Sequence, residues 1–355
     1  MLVAVKKYAD GFNGKRPHIF SPLVYAIPIL DTKEAFPVKS RIIMLSFCLA
    51  VAMFVPALAL TSTTAEVENA APIAENLTLK TYKGVAIASR FAAVDPEGDL
   101  VTFQVVDSPA RGQVTLDEND PAVFWYTPYE GKKGKDSFTY VAIDANGNTS
   151  KPATVKITIE KQKTKVTYSD MAGSPSQYAA LRLAEAGVYT GRKVGDLYCF
   201  NPDEAFTREE FLTLAMTGAD VAPLSNVSLT GFYDDRDISA WAKGYVSAAL
   251  IQGTVTGSPN EVGQVVFNAG DAVTCAQAAV IIDRLLAVGD VSSSTAFSAE
   301  TTPAWAYQSV VNMEAVSVLP SSANLSQPLT RSEAAEMLSA MLDVLENRQT
   351  GRWFW

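Results

Sequence analysis

The sequence predicts a multidomain chain: an all-β antiparallel sandwich followed by an all-α body of three repeats. Short alternating apolar and polar runs, separated by turn clusters, fill residues 75–160. A module of about 60 residues with two helical patterns then recurs, imperfectly, three times over residues 168–347. Ahead of both, a basic and then apolar segment at residues 39–59 reads as an export signal.

Residues 1–38 contain Pro17, Pro22, Pro28 and Pro37 and show no sustained periodicity, as expected of an unstructured leader or a start-site artefact. Lys39 and Arg41 then precede the uncharged apolar run 42–59, which ends in Pro56-Ala57-Leu58-Ala59, a small-x-small cleavage pattern. The run is at the short limit for crossing a bilayer and a Thr/Ser stretch comes after it. A signal peptide is therefore preferred to an anchor, and membrane contact is expected only through it. Residues 60–74 are a linker.

Charge and residue usage narrow the chemistry. Residues 1–59 hold seven basic residues (Lys6, Lys7, Lys15, Arg16, Lys33, Lys39, Arg41) against Asp10, Asp31 and Glu34, a net of +4. The chain's net charge of −9 thus leaves about −13 for the exported part. That surface disfavours nucleic acid and anionic membranes, and it requires local Arg or Lys sites for any anionic polymer. The single histidine, His18, lies in the leader. Residues 60–355 have none, which excludes Ser-His-Asp and Cys-His catalysis and His-ligated zinc from the exported part. After the leader and signal only Cys199 and Cys275 remain, either paired in an oxidising exterior or two small buried thiols.

Within residues 75–160 the runs 85–91, 100–106, 113–116, 123–126, 137–143 and 154–159 read as strands. Over 138–143 both faces are apolar, so this strand belongs inside a sheet. The ordered set Asp95-Pro96-Glu97-Gly98-Asp99, Phe124-x-Tyr126-Thr127-Pro128, Gly134-x-Asp136-Ser137-Phe138-x-Tyr140 and Asp144-x-x-Gly147 resembles bacterial immunoglobulin-like, cadherin-like domains of surface proteins. Some of that family hold calcium. Asp95, Glu97, Asp99 and Asp144 either supply oxygen ligands for it or make Asx turns. No other cofactor is expected.

Residues 161–167, with Lys161, Lys163 and Lys165, read as a solvated linker. The repeats occupy 168–224, 225–290 and 291–347, with an aromatic tail, Trp353-Phe354-Trp355, inside 348–355. In each repeat a first helix is predicted from an N-cap at Ser174, Ser239 or Thr302, and a second from Thr207, Thr274 or Thr330. Glu210 and Glu333 complete capping boxes with their Thr. Capping does not explain Arg208 and Arg331, cations in a first turn that the helix dipole disfavours, so an anion nearby is expected. Trp241 and Trp305 either plug the space between repeats or stack on sugar.

Tyr168-Ser169-Asp170, Trp241-Ala242 and Trp305-Ala306, Gly187-x-x-x-Gly191 and Gly253-x-x-x-Gly257, Phe200-Asn201-Pro202 and Thr-Arg-x-Glu together resemble S-layer homology domains, which occur in triplets. The resemblance covers about half the chain. It implies grooves between repeats that bind a secondary cell-wall polysaccharide carrying pyruvate ketals, and the glycan-binding set it marks is Arg208, Arg331, Asp170, Asp234, Trp241, Trp305, Gly191 and Gly257. The copies depart from the pattern: Cys275 and Gln277 replace the Arg and Glu in the second, Ala299 and Ser317 replace the Asp and first Gly in the third, and Pro175 replaces the Trp in the first. At most two grooves, those of Arg208 and Arg331, are then expected to bind.

The resulting expectation is a non-catalytic, secreted cell-wall or S-layer protein of a Gram-positive-type bacterium, displaying an immunoglobulin-like domain. The alternative is a surface assembly protein whose repeats contact other surface proteins and bind no glycan. Asp234-Asp235-Arg236-Asp237, read as extended, is the one carboxylate cluster suggesting acid–base work, and helix entry explains it as well.

Overall fold

A computed structural model describes residues 69–351 apart from Thr295. The expected leader and signal peptide, and the tail from Arg352, lie outside the described residues. None of the described helices is long and apolar enough to cross a membrane.

The first region is a β-sandwich. Its larger sheet runs in the order β2 (Leu77–Tyr82), β9 (Ala153–Glu160), β8 (Gly134–Ile143), β5 (Thr102–Asp107). The other is β3 (Ile87–Arg90), β7 (Val123–Pro128), β6 (Gly112–Leu116), and a short pair joins β1 (Ile73–Ala74) to β4 (Ala93–Val94). β8 lies inside its sheet, as its two-sided apolar pattern predicts. The sandwich is mixed rather than antiparallel: β2, absent from the predicted runs, pairs parallel to β9 from Leu77↔Val155 to Tyr82↔Glu160. Between the sheets, Phe91 stacks on Phe124 at 4.5 Å and lies 4.4 Å from Tyr140. The Tyr140 hydroxyl donates to the carbonyls of Glu75 (2.6 Å) and Ala92 (2.8 Å), so the polar tip of a core ring is satisfied.

Among the described residues the second region has six α-helices: α1 (Gln177–Glu185), α2 (Arg208–Gly218), α3 (Lys243–Gln252), α4 (Cys275–Leu286), α5 (Tyr307–Ala315) and α6 (Arg331–Gln349). It is not all-α. The hairpins β10 (Arg192–Val194) with β11 (Leu197–Cys199), and β12 (Ser258–Pro259) with β13 (Val265–Val266), occupy stretches read as loops. Their strands are too short to show a period, and Gly195 and Gly263, at φ 63° and 80°, turn between them.

Thr207, Thr274 and Thr330 each open their helix with a complete capping box, Gln277 serving in the second. The first helices start later than predicted. α1 begins after Ser176, and α3 and α5 begin after Ala242 and Ala306, with no side-chain cap at any of them. Ser239 is not a cap: its hydroxyl and N–H donate to the buried Glu209 of α2 at 2.6 and 2.9 Å.

Tertiary hydrogen bonds satisfy the remaining first-turn donors. Arg208 and Glu209 N–H donate to the carbonyls of Asp271 and Ala269, Cys275 and Ala276 to those of Gln327 and Leu325, and Arg331 and Ser332 to those of Glu204 and Pro202. Each capped helix is thus tied to the loop before another capped helix. α2, α4 and α6 touch pairwise, and α2 also packs on α3, α4 on α5 and α6 on α1, which closes a ring of contacts.

Candidate anion-binding groove

Arg208 is placed by α2 at the edge of a cavity of about 370 Å³. The turn at Gly257, Phe267, Asp271, Arg284 of α4 and Trp305 complete the wall. The Arg208 guanidinium carbon lies 5.2 Å from the Phe267 ring centroid, in cation–π range. Its buried Nε has no hydrogen-bond partner and its guanidinium makes no ion pair with a carboxylate among the described residues. Burial, and then the neighbouring charge of Arg284, hold its pKa below the ordinary arginine value, and Asp271 offsets this only in part. Two cations facing a half-enclosed space favour an anion between them.

Arg331, the matching residue of α6, is differently placed. It pairs with Glu204 at 2.8 Å and stands 5.1 Å from the Phe206 ring. Its charge is answered within the protein. At the third matching position Cys275 is 3% exposed. Cys275 and Cys199 are both free thiols.

The other predicted residues support loops. Asp170 accepts the N–H groups of Phe200 and Asn201 at 3.0 and 2.8 Å, and Asp234 accepts those of Phe267 and Asn268 at 2.8 and 2.7 Å. Each carboxylate thereby fixes an Asn near φ 57–59° ahead of a capped helix. Gly191 and Gly257 sit at φ 73° and 70°, and a β-carbon on either would collide with the opposite strand's carbonyl, of Cys199 or Val266. Trp241 and Trp305 are 55% and 59% exposed, so neither is a plug between helices. Trp305 faces the Arg208 cavity.

Of the remaining candidates, Asp95 and Asp144 hold local turns. Asp95 accepts the N–H groups of Glu97 and Asp99, and Asp144 those of Asn146 and Asn148 plus the amide of Asn69. These are Asx turns. Asp95, Glu97, Asp99 and Asp144 do not gather into a metal-binding group among the described residues. The 234–237 segment is a 3-10 turn rather than extended, and its buried Asp235 binds Thr230 and Lys243. The linker is not simply solvated, because the Lys163 N–H donates to Glu185 of α1 and Val166 is buried. Elsewhere Glu336, raised by burial, holds Ser176 at 2.5 Å, and its neighbour Glu333 is committed to its capping box.

Sequence reading missed Phe267, Asp271, Arg284 and Glu204. One signal pointed to Arg284: Gln277, Val280, Ile281 and Arg284 recur at helical spacing and so share one face.

Residues 69–158 match the bacterial Ig domain family, and this part of the chain is a bacterial immunoglobulin-like domain. Over 105 residues, 29% of its length, the whole chain is 35% identical to Exoglucanase XynX of Acetivibrio thermocellus and covers 9% of that protein. Over the same length it is 37% identical to an amylopullulanase of Thermoanaerobacterium thermosulfurigenes, covering 5%. The chain thus spans less than a tenth of these relatives. Among solved structures, fibronectin(III)-like modules of Clostridium thermocellum CbhA align over 28% of this chain and 51% of theirs, with 19% identity and a TM-score of 0.20. An endo-fucoidan hydrolase aligns over 27% of this chain and 14% of its own, with 21% identity and a TM-score of 0.23.

Proposed function

We propose that the chain is a non-catalytic cell-envelope protein held non-covalently to an anionic secondary cell-wall polysaccharide, carrying an immunoglobulin-like domain outward. The observation that carries this reading is Arg208: a largely buried guanidinium with an unpartnered Nε, beside Arg284, facing a cavity that the exposed Trp305 borders. A carboxylate such as a pyruvate ketal answers the guanidinium, and a sugar face suits the indole. The S-layer-homology-like pattern, read as three repeats closing a ring, supports a groove built from three segments: Arg208 from the first, Gly257 and Arg284 from the second, Trp305 from the third. Localisation at the cell surface accords with the same reading. The chain's acidity is then compatible with a polyanion, because the attraction is local.

Only one groove is expected to bind. Arg331 has its counter-ion in Glu204, and Cys275 carries no charge to offer. Arg208→Ala should weaken co-sedimentation with bacterial walls about 10- to 100-fold, the loss expected for a charge-assisted contact of about 1.5–3 kcal/mol. Arg331→Ala should change it little. Hydrofluoric acid, which strips the secondary polymer, should abolish binding by the parent chain. Equal wall binding by parent and Arg208→Ala would refute the reading. That outcome would favour the assembly protein, to which the internally neutralised Arg331 and the uncharged Cys275 already lend support.

A further inference from the structure

A larger cavity, about 1140 Å³, lies between the sandwich and the helical region. Residues 89–92, at the end of β3, form one wall, and Cys275, Glu333 and Glu336 stand on the other. Cys275 occupies the position that Arg208 and Arg331 hold elsewhere. Among the described residues this junction therefore has carboxylates and no cation left for a ligand, because its Arg90, from β3, is paired with Asp120. It repels the anions that the Arg208 groove attracts.

Next to it, the sandwich and helices share a core. Tyr82 and Val85, 3% and 5% exposed, join the helical hydrophobic cluster, and the Tyr82 ring lies 5.1 Å from Tyr178 of α1. Around that contact runs an ion network. Arg182 of α1, buried, binds Asp343 and Glu346 of α6 at 2.7 and 3.0 Å and donates to the Ser339 carbonyl at 2.9 Å. Lys80 of β2 reaches the same two carboxylates at 3.5 and 3.2 Å. Arg182 has already fixed those carboxylates, so Lys80 meets a preformed anionic pair and less side-chain freedom is lost in docking.

We propose that the sandwich is a rigid arm, docked through β2 onto α1 and α6, whose β3 end roofs the third groove. That groove serves intrachain docking rather than an outside ligand, which accounts for Cys275 standing where the other two copies carry a guanidinium. The linker takes the same path, held by Glu185 and by the Gln162 amide on the carbonyls of Thr164 and Val166. Lys80, Asp343 and Glu346 are 41%, 44% and 54% exposed, so this latch is accessible to salt.

Electron–electron distance measurements test the proposal. Spin labels go at Glu118→Cys in the sandwich and Arg192→Cys in the β10 hairpin, in the full chain with native cysteines changed to serine. A single narrow distance is expected. In Lys80→Glu it should broaden and lengthen while far-ultraviolet circular dichroism stays unchanged, and Lys80→Met should broaden it less. A broad distribution in the parent overturns rigid docking. A narrow one that neither Lys80 variant moves overturns the ionic latch.

Discussion

One position, the residue after the capping Thr, has three environments in this chain. As Arg208 it points a largely buried charge into a cavity, as Arg331 it is neutralised by Glu204, and as Cys275 it is apolar in effect. Burial, and then the charge of Glu333, push the Cys275 thiol up to about 11. The thiolate is disfavoured in the folded chain, so iodoacetamide should label Cys199 and spare Cys275 at pH 8. Stability tied to Cys275 should be intact below its unfolded value near pH 9 and fall as pH rises towards 11, readable from urea midpoints. Labelling of Cys275 at pH 8 as fast as in the unfolded chain would refute this. That Arg208 and Arg331 needed an anion was legible, because capping leaves a first-turn cation unexplained. Which of them is paired inside the protein was not: Glu204 lies in another segment and no local spacing ties it to Arg331, while Arg208 has no carboxylate partner among the described residues.

At the level of elements, the second helices were legible because a Thr with a Glu or Gln three residues on makes a local, reciprocal pair of hydrogen bonds. The first helices were misplaced by about one turn. The Ser239 hydroxyl goes to Glu209 across the structure, and the buried Thr302 hydroxyl has no hydrogen-bond partner. α4 ends on Ala287 at φ 47°, a left-handed cap where an L side chain costs about 1 kcal/mol. Ala287 is exposed, so Ala287→Gly should raise the urea-unfolding free energy by about 0.5–1 kcal/mol. No gain would mean that unfolded-state entropy cancels the relief. Ser317 sits at φ 58° where Gly187 and Gly253 sit at 71° and 76°, so the third copy keeps the conformation after losing the residue that favours it.

Over the whole molecule, stability concentrates where segments meet. Arg182→Ala should cost about 2–3 kcal/mol, because it removes the buried cation and leaves Asp343 and Glu346 with only the exposed Lys80, whereas Lys80→Met should cost no more than about 1 kcal/mol. Equal effects of the two in thermal or urea unfolding would show that the buried arginine is not the centre of the network. By itself the sequence determined the β-rich and helix-rich halves, the interior place of β8 and the capped starts of α2, α4 and α6. All of these rest on periodicity or on contacts within a few residues. Only the tertiary structure decided the parallel pairing of β2, the hairpins, the loop carbonyls that complete each capped helix, and which arginine is paired with a carboxylate of the chain. Those depend on which remote donor meets which acceptor, and that pairing exists only once the chain has closed on itself.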